Sequence, residues 1–296
     1  AAQVGLLRNL VVASCDAGDA WQMAAGFLPR QMRLMMAKDL RLFRRDPVQW
    51  SQFLIFFGLL GLYFLNIRAF RYDSYYVGWV NIVSFLNLAV VGLLMSTFTT
   101  RFIFPMISLE GRRFWFLGLL PLRRETLLWS KFLFAAAGSI VPCSVLILLS
   151  DLMLGVGHLE AAPLVMASHQ LTCVVLCVGL SGIAAGLGAR LPNLREESPS
   201  RIAAGFGGTL NLVISTLYIL VVVLLTAVPC HFYLVAEHTH TAGILPEQAG
   251  SPWGGNAYWW LEFWLIAGTV ASVLLGVLAI AIPLRIGFRA LRRLEF

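Results

Sequence analysis

Apolar residues gather in six long blocks, at 48–67, 76–100, 132–155, 163–189, 209–229 and 257–284, each bounded by charged or turn-forming positions. A helix needs about 20 apolar residues to cross the hydrocarbon core of a bilayer. All six blocks reach that length. The pattern therefore predicts an all-α, polytopic membrane protein with six transmembrane helices. Composition agrees: 59% of the 296 residues are hydrophobic and 12% are charged, against about 25% charged in soluble domains. That excludes ordinary soluble, fibrous and disordered classes. Five scattered cysteines are too few for a disulfide scaffold.

The net charge of +7 would suggest nucleic acid on a soluble protein. Here its distribution says otherwise. Of the 22 Lys and Arg, 20 fall before block one, between two and three, between four and five, or after six; only Arg68 and Arg71 lie on the other side. The positive-inside rule places both termini in the cytoplasm and accounts for the basic balance without a nucleic-acid partner. The first residue is Ala, and residues 1–22 carry Asp16 and Asp19 without an apolar signal core. The expectation is a fragment or processed product, with residues 1–28 of unknown role and 29–296 the membrane domain.

Two segments on the basic side are amphipathic. Residues 29–46 carry Arg30, Arg33, Lys38, Arg41, Arg44 and Arg45 on one helical face and Met32, Met35, Met36, Leu40, Leu42 and Phe43 on the other. Such a helix lies in the membrane interface, started by Pro29 and stopped by Pro47. Asp39 projects from the apolar face; a nearby Arg is its expected partner, a contact with another protein the sharper reading. The loop at 101–131 is too apolar for a soluble linker. It reads as one or two short membrane-pressed helices broken at 118–121, either an anchoring elbow or a docking surface. On the opposite side, the loop at 230–256 ends near Trp253, Tyr258, Trp259 and Trp260, an interfacial aromatic belt.

Catalytic signatures are sparse. The two lysines, Lys38 and Lys131, follow no GxxxxG, so the phosphate loop of a nucleotide-hydrolysing motor is missing. The expectation is that this chain is not the ATPase. Glu237–His238–Thr239–His240 is a weak metal signal. Glu196, Glu197 and Arg201 match EExxxR of one intramembrane protease family but lack its histidine motifs. Gly182 and Gly186 form a GxxxG, by default a helix contact within the chain and otherwise a subunit interface. Cys173 and Cys177, one turn apart, read as packing residues. Pro142 is the sole proline well inside a span.

Polar residues inside the spans form two stripes: Asn81, Ser84 and Asn87 in the second, Asn211, Ser215 and Tyr218 in the fifth. Hydrogen bonding between helices is the default reading; lining a polar translocation path is the alternative. Asp151, His169 and Glu262 sit toward outer span ends, where water can reach. No buried charge pair of the proton-relay kind stands out at mid-membrane.

At 101–131 the chain resembles the permease subunits of ABC-2 type transporters. The elements are Glu110, Gly111, Arg112 and Arg113, then Leu117–Leu120, Pro121, and Lys131 opening the third span. The segments 38–47 and 108–115, with 192–208, resemble a bacterial subgroup of ABC export permeases. Members of that subgroup tend to be longer, which implies a C-terminal portion. The resemblance spans about 29–296.

It implies a connecting helix at 29–46 and a coupling helix around Glu110, Gly111, Arg112, Arg113, Pro121 and Lys131 that docks on a cytosolic ABC ATPase subunit. It also implies spans two and five on the path, a second permease half or a homodimer, and the bacterial inner membrane. On this reading the chain is an export permease and not an enzyme. It binds no cofactor, since ATP and Mg sit on the partner, and it contacts membrane lipids. A secondary transporter or channel without an ATPase is the alternative.

Overall fold

The computed structural model describes residues 29–45, 47–67, 77–110, 124–156, 162–193, 196, 198–241 and 256–293. All regular elements among them are helical: α1 (Arg30–Arg45), α2 (Pro47–Ile67), α3 (Val77–Phe98), a π-helical turn (Thr99–Ile103), α4 (Pro105–Glu110), α5 (Arg124–Leu154), α6 (Ala162–Arg190), α7 (Pro199–Ala204), α8 (Phe206–Thr241) and α9 (Asn256–Arg293). Five stretches are by themselves long and apolar enough to cross a membrane: Gly78–Glu110, Glu125–Leu154, Pro163–Arg190, Phe206–Ala236 and Trp259–Arg292. A sixth is counted only if α1 and α2, bent by 80° against each other, are taken together as one span. Pro47 sets that bend, because it removes an N–H and disfavours helical geometry in the residue before it.

The helices outrun the apolar blocks. The second was expected to stop at Thr100, ahead of a loop. Instead the chain winds on as a π turn and then as α4 to Glu110. Pro105 supplies the reason: in a straight helix its ring would strike the carbonyl of Arg101. The wider turn relieves this, and Phe104 N–H donates to the Thr99 carbonyl, five residues back, at 2.9 Å. The hydroxyls of Thr99 and Thr100 both donate to the Ser96 carbonyl, at 3.0 and 2.8 Å. Arg101, expected in a loop, lies exposed within this winding. The break expected at 118–121 lies outside the described residues.

The loop expected from residue 230 is also partly helix, since α8 continues through Pro229 to Thr241. Cys230 and Leu234 are buried beyond that proline, so packing carries the helix past it. Pro283 likewise lies inside α9, so Pro142 is not the only intrahelical proline. At the far end of α5, Gly155 adopts φ 74°, the left-handed cap that glycine supplies without a Cβ penalty.

Burial ranks the spans. In α6, 72% of the apolar window is buried, against 17% in α9; α6 is the axis and α9 an outer wall. The two touch through the GxxxG. A Cβ on Gly186 would lie 2.3 Å from the Pro283 carbonyl carbon, so only glycine permits this approach. The motif therefore serves a contact within the chain. Cys173 and Cys177 are buried and unbridged in the core. The outward face of α9 exposes Trp259, Trp260, Phe263, Trp264 and Ile266, a surface suited to hydrocarbon and its interface.

Candidate functional site

Three elements converge where the basic residues gather. Asp39 of α1 faces the bundle because its neighbours Met35, Met36 and Ala37 are the buried residues of that amphipathic helix. Glu110 ends α4, held in place by the π turn. Lys131 lies two turns into α5 and is 2% exposed. Its ammonium donates to Asp39 Oδ1 and Oδ2 at 2.7 and 2.8 Å and to Glu110 Oε1 at 2.6 Å. Lys38, half exposed, donates to the same Glu110 oxygen at 2.6 Å and lies 3.6 Å from Asp39. Two cations thus balance two carboxylates. Burial pushes the Asp39 carboxyl up, while the Lys131 ammonium pulls it back toward the charged form.

Neighbouring contacts hold this joint. Ser130 Oγ donates to Met35 Sδ at 3.6 Å. The Asn193 backbone N–H donates to Ser108 Oγ of α4 at 3.1 Å. Removing one partner of a buried ion pair costs about 3–5 kcal/mol, because it strands the other charge. Asp39 was expected to pair with a nearby Arg; its partner is Lys131, 92 residues away in the chain. A signal did exist: the acid is the one misfit on an apolar face, and Lys131 is one of only two lysines.

Of the residues implied by resemblance, Glu110 and Lys131 meet in this cluster. Gly111, Arg112, Arg113 and Pro121 lie outside the described residues, as do the side chains at 237–240. The two polar stripes are buried between helices. Asn87 Nδ2 donates to Ser150 Oγ at 2.9 Å. Asn211 Nδ2 donates to Thr100 Oγ1 at 2.8 Å, tying α8 to the π turn. Tyr218 O–H donates to the Val175 carbonyl at 2.8 Å, filling the space left by Gly179. Cys230 Sγ approaches Asn81 Oδ1 at 3.9 Å, and Ser215 is fully buried.

Ser84 leads to a second cluster, at the other end of the bundle. Its hydroxyl donates to Asp151 Oδ1 at 2.6 Å and lies 3.2 Å from His169 Nδ1. His169 Nδ1 is 3.0 Å from the same Asp151 oxygen. Asp151 and His169 were expected toward the outer span ends, where water could reach them. Both are buried, at 1% and 0% exposure. The sequence did not reveal their contact, because it depends on α5 and α6 packing side by side, which no spacing rule encodes. Glu262, by contrast, is exposed. Among the described residues no group of three or more His, Cys, Asp or Glu is placed to hold a metal ion.

The model of a family described as "Putative ATP-binding cassette" matches residues 16–296, and the chain belongs to that family. No curated protein matches it. The family upholds the ABC class but describes the ATP-binding part of it. That overturns the reading of the chain as a permease subunit, with its carrier-without-ATPase alternative, and the reading of it as no enzyme. The error has a physical root. A missing phosphate loop excludes only one locally encoded nucleotide site, and a site assembled from distant segments leaves no such trace. With no phosphate-loop lysine, any nucleotide contact on this chain is built from other residues.

Proposed function

Taking that family as premise, we propose that the chain acts in the membrane within an ABC transport system, and that the Asp39–Lys131–Glu110 cluster is its mechanical joint. One observation carries the reading: a buried ammonium held by carboxylates from two other elements links interfacial α1, the π-jointed end of α3 and the start of α5. Several helices apolar enough to span a bilayer support the membrane setting. The family supports the nucleotide context. The basic end faces the cytoplasm, on the charge asymmetry of the flanking segments.

A joint of this kind is suited to two-state behaviour. Its interactions are strong when all partners meet and poor when one leaves, so intermediate geometries are disfavoured. A ligand shifts such an equilibrium only through unequal affinity for the two states. ATP does so if it favours one spacing of α1 and α5.

The test is a distance measurement between spin labels at Arg41 on α1 and Glu125 on α5, on the assembly purified from membranes, with and without ATP. The expected result is a nucleotide-dependent shift in the wild-type distance that Lys131→Met abolishes and Lys131→Arg retains in part. An identical distribution with and without ATP in the wild type refutes the joint.

A further inference from the structure

The face of α9 turned away from the bundle changes chemistry along its length. At about 100° per residue, Leu274, Leu278, Ile282, Arg285, Arg289 and Arg292 fall on one side of the helix. The three apolar side chains are each more than half exposed, and the three arginines are exposed as well. Packing on the opposite side explains this orientation. There Gly182 and Gly186 of α6 are pressed against Ile280 and Pro283 of α9. An apolar strip therefore runs without a break into a basic one.

Depth places the junction of the two strips at a headgroup layer. The exposed Trp259, Trp260 and Trp264 mark the far interface. At about 1.5 Å per residue, the rise from Trp264 to Arg285 is roughly 30 Å, the thickness of the hydrocarbon core. Arg285 therefore stands at the edge of the other leaflet, with Arg289 one turn farther among the headgroups. Trp129 of α5 is a second marker at that depth. It is partly exposed, and its ring centre lies 6.2 Å from that of Phe288, which precedes Arg289. Arg292 is engaged by Glu125 at the start of α5, which fixes the end of α9 against the bundle.

We propose that this stripe is a binding site for one anionic phospholipid in the leaflet at the basic end. An acyl chain lies along Leu274, Leu278 and Ile282. The phosphate sits between Arg285 and Arg289, whose guanidinium groups suit bidentate contact with its oxygens. Length fits, since Leu274 to Arg285 rises about 16 Å, close to half the hydrocarbon core. A zwitterionic headgroup brings its own cation to this basic surface and is held less well. An acidic protein surface would match the arginines but leave the apolar strip unused, which favours lipid. The site matters to α9 in particular. Other helices bury 17% of its apolar window, so interfacial anchors set its depth and tilt.

The test is lipid binding by the full chain, purified in neutral detergent and followed by native mass spectrometry. The probes are phosphatidylglycerol and phosphatidylcholine with identical acyl chains. Phosphatidylglycerol should bind more tightly, by about fivefold for each arginine engaged, and added salt should weaken that preference. The double variant Arg285→Gln with Arg289→Gln should lose it. Arg41→Gln with Arg45→Gln, exposed arginines of α1 at the same end, should keep it. Equal binding of the two lipids by the wild type overturns the proposal and is the outcome expected if the stripe docks an acidic protein instead. An equal loss from the α1 pair overturns it, because the attraction then belongs to the whole basic end. Displacement of the lipid by glycerol phosphate at the same concentration also overturns it, since the apolar strip then contributes nothing. The wild-type comparison and its salt dependence decide the matter even if a variant does not fold.

Discussion

The two ionic clusters sit at opposite ends of the same bundle and share α5, yet they are built differently. At the basic end Lys131 meets three carboxylate oxygens, Lys38 reinforces Glu110, and charge is balanced two against two. At the other end one carboxylate oxygen serves both a serine and a histidine, and two polar atoms are left over. The first sets two lysines against two carboxylates drawn from three elements, so it suits a joint between those elements. The second joins one carboxylate to a serine and an imidazole. Similar burial therefore does not mean similar purpose; balance of charge separates the two, since the basic cluster also leaves Glu110 Oε2 without a hydrogen bond.

Breaking the stronger cluster gives the largest effect. Lys131→Met leaves the buried Asp39 with only Lys38, 3.6 Å away, and should lower unfolding free energy by about 3–5 kcal/mol, read as loss of folded protein in a detergent denaturation series. Lys131→Arg should recover part of it. His169→Gln comes next. It leaves Asp151 without its ionisable partner and should cost about 1–3 kcal/mol in the same series. An effect as large as that of Lys131→Met would erase the contrast between the ends. Asn87→Ala removes one neutral bond to Ser150 and should cost about 1 kcal/mol. Smallest is Lys38→Met, at most about 1 kcal/mol, because that ammonium is half exposed and water screens it. A loss equal to that from Lys131→Met would mean that the exposed lysine, not the buried one, holds the joint.

Much of this architecture is readable without coordinates. Apolar length locates the spans, and the amphipathic period at 29–46 locates α1, because these properties depend only on near neighbours in the chain. The resemblance at 101–131 names Glu110 and Lys131 as coupling residues; that they pair with each other and with Asp39 comes from the structure. The same local reading goes wrong at Thr100 and at residue 230, where helices continue beyond the apolar blocks. Helix ends follow packing and backbone satisfaction, and neither ends where hydrophobicity does. It also misjudges the chain's role: a motif search sees contiguous signatures, whereas the family relationship is spread over residues 16–296.

By itself, the order of residues determined a helical membrane protein, the positions of its spans and the strong bias of charge to one end. These follow from the cost of placing peptide groups and ions in hydrocarbon, which each segment meets on its own. Tertiary structure alone decided that Lys131 finds Asp39 across 92 residues, that α6 becomes the axis against α9, and that Asp151 and His169 meet while buried. Such pairings depend on the three-dimensional closeness of segments distant in the chain, and a buried charge selects its partner by geometry.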